Sequence, residues 1–228
     1  MKICVPVPAR STAEALRKME QIRPHADMME LRLDRMADPD LPALLAAGKA
    51  NIVVTNRHAG EGGSFLGTEG ERVGLLQQAV ALGAGYVDLE MLTEESLKRE
   101  LLDAVAGSGE YTKVIFSYHN FRETLSLNEL MDKVASPDSA GRMVKIVTMA
   151  NKMKDNLTIL ELLAAAAQMG KEITAFCMGQ KGRLSRAAAP LFGSCISYAS
   201  FGKGLESAPG QFTVEEMKEI SRLLRNGK

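Results

Sequence analysis

Short runs of β-branched and apolar residues alternate along this chain with longer stretches whose apolar positions recur every three or four residues. The short runs are Lys2 to Val7, Met28 to Leu33, Ile52 to Asn56, Tyr86 to Glu90, Lys113 to Tyr118, Met143 to Thr148, Glu172 to Cys177 and Cys195 to Ser200. Each has strand length, and several are apolar on consecutive positions, as in strands buried on both faces. The longer stretches predict helices. Val73, Leu76 and Val80 fall on one helical face, as do Leu160, Leu163 and Ala167. Ser11 with Glu14, Ser126 with Glu129 and Thr213 with Glu216 fit capping boxes, in which hydroxyl and carboxylate satisfy each other's backbone N–H. Asp155 and Thr93 are expected N-caps, and Gly83 and Gly170 expected helix stops.

Eight strand–helix units follow one another with no linker or low-complexity break, which predicts a single α/β domain over residues 1–228 with (β/α)8 barrel architecture. An open doubly wound sheet is the alternative. Pro8-Ala9-Arg10 follows the first strand where that fold places a glycine-rich phosphate loop, so the barrel is preferred. A barrel of this kind carries its chemistry at the C-terminal ends of the strands and in the loops beyond them.

Composition narrows the partners. Lys plus Arg and Asp plus Glu are equal at 28 each, so no net field draws nucleic acid or an anionic membrane. No apolar run reaches the roughly 18 residues of a membrane span. Met1-Lys2 leads straight into a strand without a leader pattern, and Cys4, Cys177 and Cys195 lack paired spacing. A cytoplasmic protein with buried free thiols is expected.

Lys145 stands out, because Met143-Val144-Lys145-Ile146-Val147 is apolar on both sides of it. Desolvation there favours the free amine, a nucleophile toward carbonyls that can form a Schiff base. A strand-end lysine that snorkels to water or pairs with a carboxylate is the competing explanation. Other strand ends carry further polar groups. Glu30 and Arg32 are two apart and share a face, open either to a ligand or to an ion pair between them. Arg57 opens a loop containing His58, Glu61, Gly62 and Gly63. Asp88 and Glu90 again share a face, as second-layer support or charge partners for a lysine. His119 ends the strand before that of Lys145, in reach of an acid–base role. Arg186 begins a helical stretch, where a guanidinium can grip a carboxylate with two bonds. Ser207 and Gln211 add hydrogen-bonding groups to a Pro-Gly turn and suggest a ligand lid. His25 reads as solvated. No His-x-His, His-Glu-x-x-His or cysteine cluster points to a metal.

Together these segments resemble the type I 3-dehydroquinate dehydratases. The matching stretches are Glu30-Leu-Arg32-Leu-Asp34, Arg57 with Glu61-Gly-Gly, Asp88-Leu-Glu90, Ser117-Tyr-His119-Asn-Phe121, Lys145 in Val-Lys-Ile-Val, Met178-Gly with Ser185-Arg186, Phe192-Gly-Ser194 and Ser207-Ala-Pro-Gly-Gln211. The resemblance implies a (β/α)8 barrel, dehydration of 3-dehydroquinate to 3-dehydroshikimate in the shikimate pathway toward chorismate and aromatic amino acids, and a homodimer. It implies Lys145 as the Schiff-base lysine, His119 as general acid/base and Glu61 as the catalytic residue that orients His119. Arg186, Ser207 and Gln211 are implied on the carboxylate side of the substrate, with Glu30, Arg32 and Arg57 around the ring hydroxyls. The implied chemistry uses no cofactor and no metal, because the lysine itself is the electron sink. Pro6 stands where many members have serine, so no binding role is carried to it.

Two other functions share some of these features. A class I aldolase would also place a lysine on a barrel strand, but with a phosphate site near strands seven and eight. A non-catalytic sensor of a cyclic acid would keep the arginines, yet it gives no reason for Lys145 with His119.

Overall fold

The computed structural model describes residues 2–109, 111–136 and 142–225. The strands are β1 (Lys2–Val7), β2 (Met28–Arg32), β3 (Ile52–Thr55), β4 (Tyr86–Glu90), β5 (Lys113–Asn120), β6 (Met143–Met149), β7 (Ile173–Met178) and β8 (Ile196–Tyr198). Each is followed by a helix: α1 (Thr12–Ile22), α2 (Leu41–Ala46), α3 (Glu69–Ala81), α4 (Glu95–Gly107), α5 (Leu127–Ala135), α6 (Lys154–Gln168), α7 (Arg183–Ala188) and α8 (Val214–Arg225). This is the element order of the (β/α)8 fold. The chain divides into two compact units, a central one, Val7–Tyr118, and a terminal one, Met1–Pro6 with His119–Lys228.

In the central unit β2, β3, β4 and β5 pair in parallel. Their register puts Arg32 opposite Thr55, Thr55 opposite Asp88, and Glu90 opposite Ser117. Polar strand ends therefore meet in rows that sequence spacing does not show. In the terminal unit β1 pairs with β8 and β6 with β7, all parallel, and Lys145 lies opposite Thr174. Cys195 N–H donates to Ile173 O at 2.8 Å, linking the start of β8 to β7. β3, β6 and β7 are buried almost end to end, as expected for strands covered on both faces.

Local signals place most helix ends. Ser126 with Glu129 and Thr213 with Glu216 form complete capping boxes. Thr68 with Glu71 forms another, at the start of α3. Ser11 accepts from Glu14 N–H as expected, but Glu14 reaches back to Arg10 N–H, one residue beyond the box. Asp155 lies inside α6 and accepts from the N–H groups of Asn151 and Lys152 at 2.7 and 2.8 Å, so it ties the preceding turn instead of capping. Thr93 is no cap either, since its hydroxyl accepts from Arg72. Gly83 and Gly170 end their helices with φ of 79° and 67°.

The core follows the apolar faces. Val73, Leu76 and Val80 are buried, whereas on α6 the buried stripe is Ile159, Leu160, Leu162, Leu163 and Ala166, leaving Ala167 exposed. All three cysteines are free, Cys4 and Cys177 buried and Cys195 half-exposed just ahead of β8. His25 is exposed. β5 runs two residues past its expected end and carries His119 within the strand.

Candidate active site

The terminal unit holds a lysine, two aromatic rings and an arginine in contact. Lys145 is 4% exposed on β6 between fully buried Val144 and Ile146. Its Nζ lies 4.2 Å from the centroid of the Tyr198 ring, on β8. Tyr198 and Phe176, on β7, have ring centroids 6.0 Å apart. Arg186, from α7, lays its guanidinium over the other ring, with Cζ 4.3 Å from the Phe176 centroid. Two basic side chains thus rest on one aromatic pair, a stacking that Arg favours.

Arg186 is buried, and among the described residues no group accepts from its Nε or Nη2. Burial pushes its guanidinium down to about 10, with Arg183 adding to the effect. A desolvated, unmatched cation is costly, so this position is suited to an anionic ligand able to accept from a planar fork. Gln211 is buried after β8, and its Oε1 accepts from Ser207 N–H at 2.8 Å and Ser207 Oγ at 3.2 Å. That engagement leaves Nε2 as the carboxamide's donor for a ligand. The loop between them is tied to the turn after β7, because Gly179 N–H donates to Pro209 O at 3.0 Å. Gly210, at φ 78°, faces Gly179 O so closely that a Cβ would lie 2.3 Å away. The Pro-Gly turn of this loop is therefore pinned against the turn after β7. His119 is half-buried at the end of β5, and the next residue, Asn120, accepts from Arg122 and Glu123 N–H, fixing the turn that follows.

The central unit holds a dense ionic cluster. Arg57 donates through Nη1 to Glu90 at 3.0 Å and to Ser117 Oγ at 2.6 Å, and pairs through Nη2 with Asp88 at 2.8 Å. Burial opposes its charge, but Asp88 and then Glu90 outweigh that and hold it above the ordinary arginine value. Ser117 Oγ donates in turn to Asp88 Oδ1 at 2.6 Å. Arg32 grips Asp34, two residues on, with two bonds, of 2.8 and 2.7 Å. Burial works against Arg32, and the Asp34 bond holds it above its ordinary value. Asp34 also accepts from the N–H groups of Arg57 and Ser64. Glu30 accepts from Thr55 Oγ1 at 3.0 Å. Glu61 is buried at the end of a 3-10 turn, Ala59–Glu61, that His58 caps through Nδ1. Gly63 follows, where a Cβ would sit 1.8 Å from Arg57 O, so that only glycine fits.

Arg72, on α3, belongs to this cluster and is absent from the sequence-derived candidates. It is 1% exposed and pairs with Glu90 and Glu69. Its signal in the sequence was a charge in the same i, i+4 row as Leu76 and Val80, on the buried face of the helix. A groove of about 800 Å3 in this unit, lined by Leu33, Met36, Phe65, Leu66 and Leu75 among others, contains none of the expected site residues. Among the described residues no group of three or more His, Cys, Asp or Glu could hold a metal ion.

The sequence model of the family described as Type I 3-dehydroquinase matches residues 3–228. The chain belongs to that family. Membership makes it an enzyme of the hydro-lyase class with 3-dehydroquinate dehydratase function. A 3-dehydroquinate dehydratase of Methanocaldococcus jannaschii is 35% identical over 222 residues, covering 97% of this chain and 98% of that protein. The Methanothermobacter thermautotrophicus protein of the same name is 36% identical over 223 residues, covering 96% of this chain and 95% of the relative. Among solved structures, a type I 3-dehydroquinate dehydratase from Clostridium difficile superposes with a TM-score of 0.89 at 23% identity, over 98% of this chain and 92% of that one. The Aquifex aeolicus 3-dehydroquinate dehydratase gives 0.80 at 29% identity, over 99% of this chain and 100% of that one. The fold is the (β/α)8 barrel common to this dehydroquinase family.

Proposed function

We propose that residues 1–228 act as one catalytic domain that dehydrates 3-dehydroquinate to 3-dehydroshikimate through a Schiff base on Lys145. The observation that carries this reading is the buried Arg186 guanidinium, stacked on Phe176 with no acceptor at Nε or Nη2 among the described residues, on the same aromatic pair as Lys145. An aldolase acting on a phosphorylated sugar would call for a phosphate cradle in this region. A desolvated arginine with a free planar fork suits a carboxylate better.

The chemistry runs as an addition, an elimination and a hydrolysis. The neutral amine of Lys145 adds to the ring ketone, and loss of water leaves a cationic imine. The imine acidifies the neighbouring C–H, and His119 takes that proton, work that falls most often to an imidazole. The resulting enamine pushes out the β-hydroxyl, which departs as water with a proton returned by His119. Water then hydrolyses the product imine, regenerating Lys145, so the net change is loss of one water. Glu61 orients His119. Arg186, Ser207 and Gln211 hold the substrate carboxylate, while Glu30, Arg32 and Arg57 serve its hydroxyls. The lysine supplies the electron sink that a cofactor would otherwise supply.

Among the described residues no helix is long and apolar enough to cross a membrane. We place the enzyme in the cytoplasm as a homodimer, in the shikimate pathway toward chorismate and the aromatic amino acids, with the small-molecule substrate as its ligand. The deciding experiment adds 3-dehydroquinate to the purified protein and follows the enone absorbance of the product. Growth of that band supports a dehydratase, carbon–carbon cleavage an aldolase, and unchanged ligand a sensor.

A further inference from the structure

Arg72 has no counterpart among the proposed catalytic or substrate-binding residues, yet every donor of its guanidinium is engaged. Nε donates to Glu69 at 2.8 Å, and Nη2 donates to Glu69 at 2.7 Å and to Thr93 Oγ1 at 2.8 Å. Nη1 donates to Asn56 O at 2.9 Å and to Glu90 Oε2. Asn56 answers by donating its Nδ2 to Arg72 O at 3.1 Å. The helix side chain therefore clamps the backbone at the residue before Arg57, and that residue clamps the helix.

The Glu90 contact extends the effect. With Oε2 taken by Arg72, Glu90 turns Oε1 toward Arg57 Nη1 at 3.0 Å and the N–H of His58 at 3.0 Å. His58 begins the turn that ends in Glu61. One buried carboxylate thus aligns the Arg57 guanidinium and the entry to the Glu61 turn, and Arg72 holds that carboxylate in its orientation. An arginine serving helix stability alone would need only its i, i+3 partner Glu69, at the helix surface. Here the contacts converge on Glu90 and on the peptide leading into Arg57. The donor geometry needs a planar fork, which a lysine cannot reproduce.

We propose that Arg72 is a positioning residue for the reaction: through Glu90 and the Asn56 carbonyl it sets the orientation of Arg57 and of the turn carrying Glu61. This inference rests on the proposed roles of Arg57 and Glu61.

The test uses Arg72→Met and Arg72→Lys in the full chain, with kcat, KM and melting temperature measured for each. Arg72→Met is expected to lower kcat/KM by about 100-fold, the scale of an ångström-sized misplacement, mainly through KM. Arg72→Lys recovers part of the loss, because one ammonium can reach Glu90 but cannot also hold Asn56 O and Thr93. A double-mutant cycle gives a readout that general destabilisation does not move. Arg72→Met added to Glu90→Gln should cause little further loss in kcat/KM, since both act through one group. Multiplying losses overturn the proposal. If Arg72→Met does not fold, Thr93→Val removes one tie to Arg72 at small structural cost and should raise KM several-fold; native kinetics there overturn the proposal. Arg57→Ala separates the two levels of argument. An unchanged KM in that variant removes Arg57 from the substrate reading and takes the inference with it. A raised KM in Arg57→Ala beside native kinetics in Arg72→Met and Thr93→Val overturns the inference alone.

Discussion

Arg186 lies over Phe176 at 4.3 Å, and the ring is its neighbour where an acid would be expected for a buried guanidinium. Ring stacking offsets only part of the cost of desolvating the charge. A substrate carboxylate would supply the rest. Arg186→Ala is therefore expected to raise KM much more than it lowers kcat, because the contact exists in ground and transition states alike. The loss should be on the order of 2–5 kcal/mol in binding, against about 0.5–1.5 kcal/mol for the neutral hydrogen bond removed in Gln211→Ala. Unchanged affinity in Arg186→Ala together with lost affinity in Gln211→Ala would reverse the substrate orientation proposed here.

The same burial predicts a stability effect of opposite sign. Arg186→Met removes an unmatched cation and keeps the stacking bulk, so the ligand-free protein should gain about 1–4 kcal/mol, as when buried charges are replaced by apolar side chains. Burial depresses the folded-state value to about 10, below the ordinary arginine value. The penalty is thus complete below about pH 10, where the group is charged in both states. It is relieved as pH rises from there toward the ordinary arginine value, a window in which only the unfolded chain still binds the proton. Denaturant titrations of both proteins should show a gap that narrows above pH 10. A gap independent of pH would mean that Arg186 pays no desolvation cost.

Lys145 should carry the covalent intermediate. Borohydride added during turnover should fix a ligand-derived mass on the peptide containing Lys145, and Lys145→Arg should abolish turnover, since a guanidinium stays protonated and cannot condense. An adduct found on Lys152 or Lys154 would end this assignment.

His119→Ala should reduce kcat by roughly 10²–10⁴-fold, the usual cost of losing a positioned acid–base group. The Lys145 imine should still form and accumulate on the mass spectrum. Near-native turnover would leave His119 a structural residue.

Gly210→Ala tests the pinned loop. Its φ of 78° costs an L-residue about 1–2 kcal/mol, and the added Cβ would meet the Gly179 backbone carbonyl, which cannot swing away as a side chain can. The Ser207–Gln211 loop should shift, raising KM with a modest fall in melting temperature. A native KM would show that this loop does not set the ligand contacts of Ser207 and Gln211.

Much of this is legible in the sequence. Strand and helix positions follow from apolar period, and the complete boxes at Ser126 and Thr213 and the stops at Gly83 and Gly170 from residues three or four apart, because those determinants act within one turn of chain. Lys145 stood out for a similarly local reason, a charge inside an apolar strand, and its 4% exposure bears out the burial. What the sequence could not determine is which charges meet. Arg32 joins Asp34; Asp88 and Glu90 hold Arg57; Thr93 serves Arg72 and not a helix end. Those partners lie 2 to 33 residues apart along the chain, and strand register with helix docking brings them together. An ion pair depends on side-chain reach across several ångströms in a desolvated setting, where a shift of one residue exchanges partners. Arg72 is the clearest case: the i, i+4 row it shares with Leu76 and Val80 marks a buried face, but only tertiary packing brings that guanidinium onto Glu90.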